Sequence, residues 1–133
     1  MTWRALPLVA LLLLAAAPAH AGTASVAGRT LTFVAAAGEA NAVGVDHQSG
    51  TFFLRDTGAP PSAGAGCRLA ADEVQCPDNG ITAVVVELGD ANDNAGISSF
   101  ELTGVDITVH GGPGNDSLSS PGHLFGDDGR DDL

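Results

Sequence analysis

Two segments near the end of the chain place glycine and aspartate at matched offsets, and this pattern is the strongest restriction on the backbone. The first segment reads GGPGNDSLS at 111–119, and the second reads GDDGRDDL at 126–133. Glycine adopts backbone conformations that a Cβ forbids, so glycines at this spacing predict tight turns whose carbonyl oxygens can face inward. In both segments an aspartate and then a leucine follow the glycines. This order predicts a turn that carries a carboxylate and leads into a short strand.

Short β-rich runs separated by glycine make up the chain after its first 21 residues. Val105, Ile107 and Val109 alternate with polar Asp106 and Thr108, which is the period of two typical of a half-buried strand. No sustained helical period appears in this part of the sequence. The sequence therefore predicts an all-β fold built from strands of a few residues each.

The first 21 residues have the features of a secretory signal peptide. Arg4 precedes the apolar run ALPLVALLLLAAA, and Ala19 and Ala21 supply the small-x-small pattern of a cleavage site. The apolar run is too short to span a bilayer comfortably, which disfavours the alternative of an uncleaved anchor. We expect cleavage before Gly22, secretion to the extracellular space and no membrane span in the mature chain.

The mature chain is strongly acidic. Loss of Arg4 leaves 4 rather than 5 Lys and Arg residues against 16 Asp and Glu, so the formal net charge changes from −11 to −12. Nucleic acids and anionic membrane surfaces bind through Lys and Arg, so this charge argues against both as partners. Cations are the expected partners.

Cys67 and Cys76 are the only cysteines, and in an exported chain an even number favours a disulfide. A tight turn at Ala71 and Asp72 would place the two cysteines opposite each other on a two-stranded hairpin. A redox or metal role lacks the CxxC motif or clustered histidines that would accompany it. We therefore predict a structural disulfide hairpin.

The glycine and aspartate segments predict a metal site. The first segment fits G-G-x-G-x-D-x-U-x, in which U is a large aliphatic residue, the pattern of calcium-binding parallel β-helix repeats. Carboxylate oxygens are hard ligands that Ca²⁺ prefers. In the second segment an aspartate stands where the second glycine belongs, and the spacer SPGHLF breaks the phase between the two segments. The predicted metal-binding positions are Gly111, Gly112, Gly114, Asp116, Gly126, Asp127, Gly129 and Asp131.

On these motifs the chain resembles the RTX, or haemolysin-type, calcium-binding repeat proteins. The segments TLTFVAAAGEANAVGV and VVVELGDANDN also resemble the β-rich leader found ahead of such repeats in secreted actinobacterial proteins. The resemblance implies a small β-rich leader domain at 22–88 and degenerate repeats at 89–133 that begin a parallel β-roll or β-helix. It also implies that each calcium is shared between stacked turns on one side of the roll. About two repeats are recognisable here, so the expectation is the first turns of a calcium roll.

The segment 90–101, DANDNAGISSFE, allows three interpretations. Its acidic and amide spacing has the order of an EF-hand loop, although its flanks are β-branched where an EF-hand needs helices. The residues GDAND also fit a degenerate G-x-G-x-D turn with Ala91 in place of glycine, which would make Asp90 and Asp93 weak ligands. The third interpretation is a polar loop between strands.

These features together predict a secreted protein that binds calcium for a structural purpose. The sequence contains neither H-E-x-x-H nor G-x-S-x-G, so we expect no enzyme activity in this chain. One alternative is a secreted structural or adhesive β-protein with vestigial repeats, and another is the N-terminal part of a larger exported RTX enzyme. An uncapped end of the roll would expose an unpaired strand edge, through which the chain could self-associate.

Overall fold

The computed structural model describes residues 22–98 and 103–133, so the predicted signal peptide at 1–21 lies outside the described residues. Within these ranges the chain forms twelve strands and no helix. None of the described residues therefore forms an apolar helix long enough to cross a membrane. The strands are β1 (Thr23–Ala27), β2 (Thr30–Val34), β3 (Ala42–Gln48), β4 (Thr51–Asp56), β5 (Ser62–Ala63), β6 (Arg68–Ala70), β7 (Glu73–Pro77), β8 (Ala83–Glu87), β9 (Asn94–Ile97), β10 (Asp106–His110), β11 (Ser117–Ser119) and β12 (His123–Phe125).

The strands form two sheets of six. Sheet A has the order β12-β10-β8-β2-β1-β5, and sheet B has the order β11-β9-β3-β4-β7-β6. From β8 onward, successive strands alternate between the sheets, and β10, β11 and β12 each pair in parallel with the strand two before them in the chain. Strands β8 and β9 also pair in parallel with β2 and β3. Strands from both sides of residue 88 thus share the same two sheets.

Antiparallel hairpins occupy the N-terminal side of both sheets. The β1–β2 hairpin lies in sheet A, and the β3–β4 and β6–β7 hairpins lie in sheet B. Each sheet is therefore mixed. The all-β prediction is confirmed, whereas the mixed pairing does not by itself confirm a parallel β-roll.

One hydrophobic core draws on both sheets, and the alternation of the strands explains its composition. In β2, Leu31 and Phe33 are buried between more exposed neighbours, and in β10 Ile107 and Val109 are buried while Asp106 is exposed. Successive side chains of a strand point to opposite faces, so a period of two places one set of residues between the sheets. The largest fully buried side chains are Phe33, Phe52, Leu31, Leu54, Leu88, Val45, Val74, Val84, Val86, Val109 and Cys76.

The predicted disulfide hairpin is confirmed. Cys67 and Cys76 are bonded, with their Cα atoms 4.3 Å apart. The turn between β6 and β7 contains Ala71, whose φ of 54° provides the reversal. Cys76 is fully buried in the core, so the bond holds the outermost hairpin of sheet B against the interior.

Candidate metal centre

Three turns of similar sequence follow strands β8, β10 and β12. They span 88–93, 111–116 and 126–131, and the strands before them pair in parallel register, as do the segments after them. Parallel strands in register bring their ends to the same edge of the sheet, so the turns stack one above another. A hydrogen bond of 2.8 Å from the Gly111 N–H to the Phe125 carbonyl continues the strand pairing into the turns.

Positive φ angles recur at equivalent positions of the turns. Gly112 has a φ of 80°, and Asp127, which stands at the same position of the next turn, has a φ of 64°. Gly114 and Gly129 each have a φ of 134°, and Ala91 at the equivalent position has a φ of 75°. The left-handed region disfavours residues with a Cβ, so Asp127 and Ala91 adopt it because the stacked turn requires it.

The stacked turns approach each other so closely that side chains are excluded. A Cβ on Gly114 would overlap the carbonyl oxygen of Ala91, and a Cβ on Gly112 would overlap that of Gly89. A Cβ on Gly129 would overlap the carbonyl oxygen of Gly114. Glycine at these positions therefore serves contact between neighbouring turns as well as backbone conformation.

The sixth residue of each turn is an aspartate, and these residues form a hydrogen-bonded column. Oδ1 of Asp116 accepts the N–H of Asp93 at 2.9 Å, and Oδ1 of Asp131 accepts the N–H of Asp116 at 2.9 Å. Oδ1 of Asp93 accepts the N–H of Asn41 at 2.7 Å. We call Asp93, Asp116 and Asp131 the carboxylate column.

Two members of the column, Asp93 and Asp116, are buried, and their second oxygens lack donors among the described residues. Asp93 is 4% exposed and Asp116 is 3% exposed. Within the described residues, Oδ2 of both side chains has no hydrogen-bond partner. A buried carboxylate oxygen without a donor is costly, because nothing replaces the water it has lost. Among the described residues, these two oxygens are therefore the clearest candidates to bind a positive group.

The charged groups that shift the pKa values of Asp93 and Asp116 are other carboxylates. Burial raises the pKa of Asp93 to about 7, although the Asn41 N–H opposes this, and the charges of Asp116, Asp56 and Asp90 raise it further. Burial also raises the pKa of Asp116 against the hydrogen bond from the Asp93 N–H, and Asp131 and Asp127 add to the rise. The column thus concentrates negative charge where water cannot screen it.

The first glycine of each repeat makes room for the column. A Cβ on Gly111 would overlap Oδ2 of Asp116, and a Cβ on Gly126 would overlap Oδ2 of Asp131. The predicted residues Gly111, Asp116, Gly126 and Asp131 are therefore brought together in pairs. In the turn between β8 and β9 the equivalent residue is the fully buried Leu88.

Asp127 lies apart from the column, on the exposed side of the turns. Its Oδ2 accepts the Gly112 N–H at 3.2 Å and lies 3.6 Å from Nδ1 of His110. The imidazole of His110 stacks on Phe125 with the ring centroids 4.8 Å apart. Unlike Asp116 and Asp131, Asp127 thus accepts no N–H of the column, although its charge contributes to the raised pKa of Asp116.

Two residues at the head of the column carried no motif in the sequence. Asn41 is 3% exposed and lies opposite Asp93, and its side-chain N–H donates to Oδ2 of Asp56 at 2.7 Å. Asp56 is 4% exposed and ends β4. The only local sequence feature that resembles the glycine-aspartate turns is GEAN at 38–41, just before β3, which contains a glycine and an acidic residue. The turn between β2 and β3 is one residue longer than the other three.

The EF-hand interpretation of 90–101 is wrong. Strand β8 precedes this segment, and β9 lies inside it, where an EF-hand has helices outside a loop. Gly89, Ala91 and Asp93 instead stand in register with Gly112, Gly114 and Asp116, as a degenerate G-x-G-x-D turn requires. Residues 99–101 of this interpretation lie outside the described residues.

Side chains alone do not complete a metal shell. In the part of the chain that the structure describes, no three His, Cys, Asp or Glu side chains are grouped to hold a metal ion. A cation at the column would therefore need backbone carbonyl or water oxygens besides the carboxylates, a mixture that Ca²⁺ accepts. No protein-family model, no curated protein and no solved structure matches this chain.

Proposed function

We propose that this chain is a secreted calcium-binding protein in which Ca²⁺ is held at the carboxylate column and serves a structural role. The observation that carries the proposal is the pair of buried Oδ2 atoms of Asp93 and Asp116, which have no donor within residues 22–98 and 103–133 and lie in a column of like charges. A divalent cation would bind these oxygens and offset their negative charge.

The spacing of the column suits such an ion. Neighbouring strands of a sheet are about 4.8 Å apart, and Ca²⁺ binds oxygen at roughly 2.3–2.6 Å. One ion between two turns therefore lies within reach of an Oδ2 atom on each side. Carbonyl oxygens of the glycine turns and water would fill the remaining positions, which in Ca²⁺ sites number about six to eight in total.

Calcium binding would stabilise the C-terminal part of the fold most. Without the ion, the carboxylates of the column repel each other in a buried setting, and the glycine-rich turns lose more conformational entropy on folding than other residues do. A ligand that binds only the folded state stabilises it by about 2.7 kcal/mol when present at a hundred times its dissociation constant. Binding and folding are therefore expected to be coupled.

The motifs support a more specific interpretation of the same site. The parallel pairing among strands β8–β12 and the stacked turns after β8, β10 and β12 support an RTX-type β-roll. The N-terminal signal supports export to a compartment where calcium is abundant. N-terminal sequencing of the exported protein tests the export proposal, because it should begin at Gly22.

The function is tested by titrating the full chain with Ca²⁺ while following far-ultraviolet circular dichroism and the heat of binding. The Asp116→Asn variant keeps the shape of the side chain but removes the central charge of the column, and we expect it to weaken calcium binding at least tenfold. Asp106→Asn is the matched control, because Asp106 is exposed on β10 and the substitution changes the net charge equally. Equal calcium responses in the two variants, or no response of the wild type at millimolar Ca²⁺, would refute the proposal.

A further inference from the structure

The head of the carboxylate column is closed by a neutral side chain from the part of the chain before the repeats. Asn41 lies between β2 and β3, where its N–H donates to Oδ1 of Asp93 and its side-chain N–H donates to Oδ2 of Asp56. Its Oδ1 is buried and has no hydrogen-bond partner among the described residues. Asn41 thus resembles Asp93 and Asp116 in two respects: its N–H donates to the aspartate of the next turn, and one buried side-chain oxygen has no donor among the described residues.

The orientation of the amide follows from the partners of Asp56. Oδ1 of Asp56 accepts the N–H groups of Ala42 and Gly58, each at 2.9 Å, and that of Ala59 at 3.1 Å. The oxygens of a carboxylate accept hydrogen bonds, so Oδ2 of Asp56 pairs with an amide N–H and not with an amide oxygen. Nδ2 of Asn41 must therefore face Asp56, which leaves Oδ1 of Asn41 as an acceptor.

Two acceptors consequently lie on adjacent turns, and the part of the chain that the structure describes offers no donor for either. Oδ1 of Asn41 and Oδ2 of Asp93 belong to residues already joined by the 2.7 Å hydrogen bond from the Asn41 N–H. Both side chains are at least nine-tenths buried. Two oxygens that only accept cannot satisfy each other, so while Asp93 is ionised a water or a cation must lie between them, and only a cation also offsets the negative charge.

We propose that a second calcium site lies between Oδ1 of Asn41 and Oδ2 of Asp93, at the junction of the N-terminal hairpins with the repeats. The inference rests on the proposed function of the carboxylate column and extends it by one turn. The site would carry one formal charge instead of two, so it would bind Ca²⁺ more weakly than a site between two carboxylates. Its ion would connect the loop ahead of β3 to the first glycine-aspartate turn, and so transmit calcium binding to the part of the fold that lacks the motif.

The Asn41→Asp variant tests the site, because its effect changes sign with calcium. Without Ca²⁺ the new carboxylate faces Asp56 and Asp93, so the variant should unfold at a lower temperature than the wild type. With Ca²⁺ the added charge becomes a ligand, so calorimetry should show binding about tenfold tighter at this site and a larger calcium-induced rise in Tm. Asn79→Asp is the matched control, because Asn79 is exposed just after β7, at the opposite end of sheet B from Asp56, and adds the same charge away from the column.

Counting bound ions provides a second measurement that does not depend on the stability of Asn41→Asp. The Asp116→Asn, Asp131→Asn double variant should still bind one Ca²⁺ in calorimetry and native mass spectrometry, and adding Asp93→Asn should abolish that binding. If the double variant binds no Ca²⁺ although the wild type does, the second site is refuted and the column proposal stands. The second site is also refuted if Asn41→Asp lowers the Tm equally with and without Ca²⁺. If Asp116→Asn leaves the calcium response unchanged, the column proposal itself is refuted.

Discussion

Replacing Asp93 by asparagine is expected to stabilise the calcium-free protein at pH 8. The variant keeps an oxygen that can accept the Asn41 N–H, and it replaces the unpartnered Oδ2 by an amide N–H₂. That amide can donate to an acceptor on a neighbouring turn, such as Oδ1 of Asn41 or Oδ2 of Asp116, neither of which has a donor among the described residues. One substitution therefore removes a buried charge and supplies a missing hydrogen bond.

The size of the stabilisation expected from Asp93→Asn follows from the pKa of Asp93. Burial raises this pKa from 3.8 to about 7, so between these values the folded protein binds a proton that the unfolded chain has released. The carboxylate therefore destabilises the fold increasingly as the pH rises from 3.8 to about 7, and fully above pH 7. The difference between the two pKa values corresponds to at most about 4 kcal/mol of unfolding free energy.

The assay is urea unfolding in a calcium chelator at about pH 5 and about pH 8. The wild type should be more stable at the lower pH, and the variant should show a smaller difference, with the remainder arising from Asp116, whose pKa is also raised. Asp106→Asn is again the control for net charge. The reasoning is refuted if the variant is less stable than the wild type at pH 8. It is also refuted if the stability of the variant falls between about pH 5 and about pH 8 as steeply as that of the wild type. Saturating Ca²⁺ should stabilise the wild type more than the variant.

Two further predictions concern the turns. Gly114→Ala should destabilise the protein by more than about 2 kcal/mol in thermal or urea unfolding, because its Cβ would overlap a carbonyl oxygen of the preceding turn at a φ of 134°. Gly96→Ala has open space on β9, so it should change stability by less than about 1 kcal/mol, and equal losses in the two variants would contradict the stacking argument. Ala91→Gly should stabilise the protein by about 1 kcal/mol, because it relieves a φ of 75°, whereas Ala83→Gly in β8 should destabilise it by about 0.5–1 kcal/mol. The argument for Ala91 fails if Ala91→Gly and Ala83→Gly shift the unfolding midpoint in the same direction.

The strands and the disulfide hairpin could be predicted from the sequence because their signals are local. The alternation of Ile107 and Val109 with polar residues spans a single strand, and it predicted which side chains are buried. Cys67 and Cys76 are nine residues apart, so a two-residue turn is enough to bring them together. In both cases the residues that interact are close in the chain.

The turn at 88–93 could not be settled from the sequence. Its degenerate motif was compatible with an EF-hand, a glycine-aspartate turn or a polar loop, because Ala91 gives no local sign of a positive φ. Parallel pairing of β8 with β10 and of β9 with β11 decides between them. Parallel pairing of β12 with β10 likewise stacks the turn of Asp127 on that of Gly112, where Oδ2 of Asp127 accepts the Gly112 N–H.

The sequence by itself determined that the chain is all-β, that its cysteines pair, and that glycine and aspartate recur where turns must be tight. Only the tertiary structure decided that Asp93 continues the column of Asp116 and Asp131, and that Asn41 and Asp56 close it. Asn41 and Asp93 are 52 residues apart in the chain, and no pattern within either segment refers to the other. Strand pairing brings them to the spacing of neighbouring turns, because register between parallel strands depends on the whole sheet and not on any one segment.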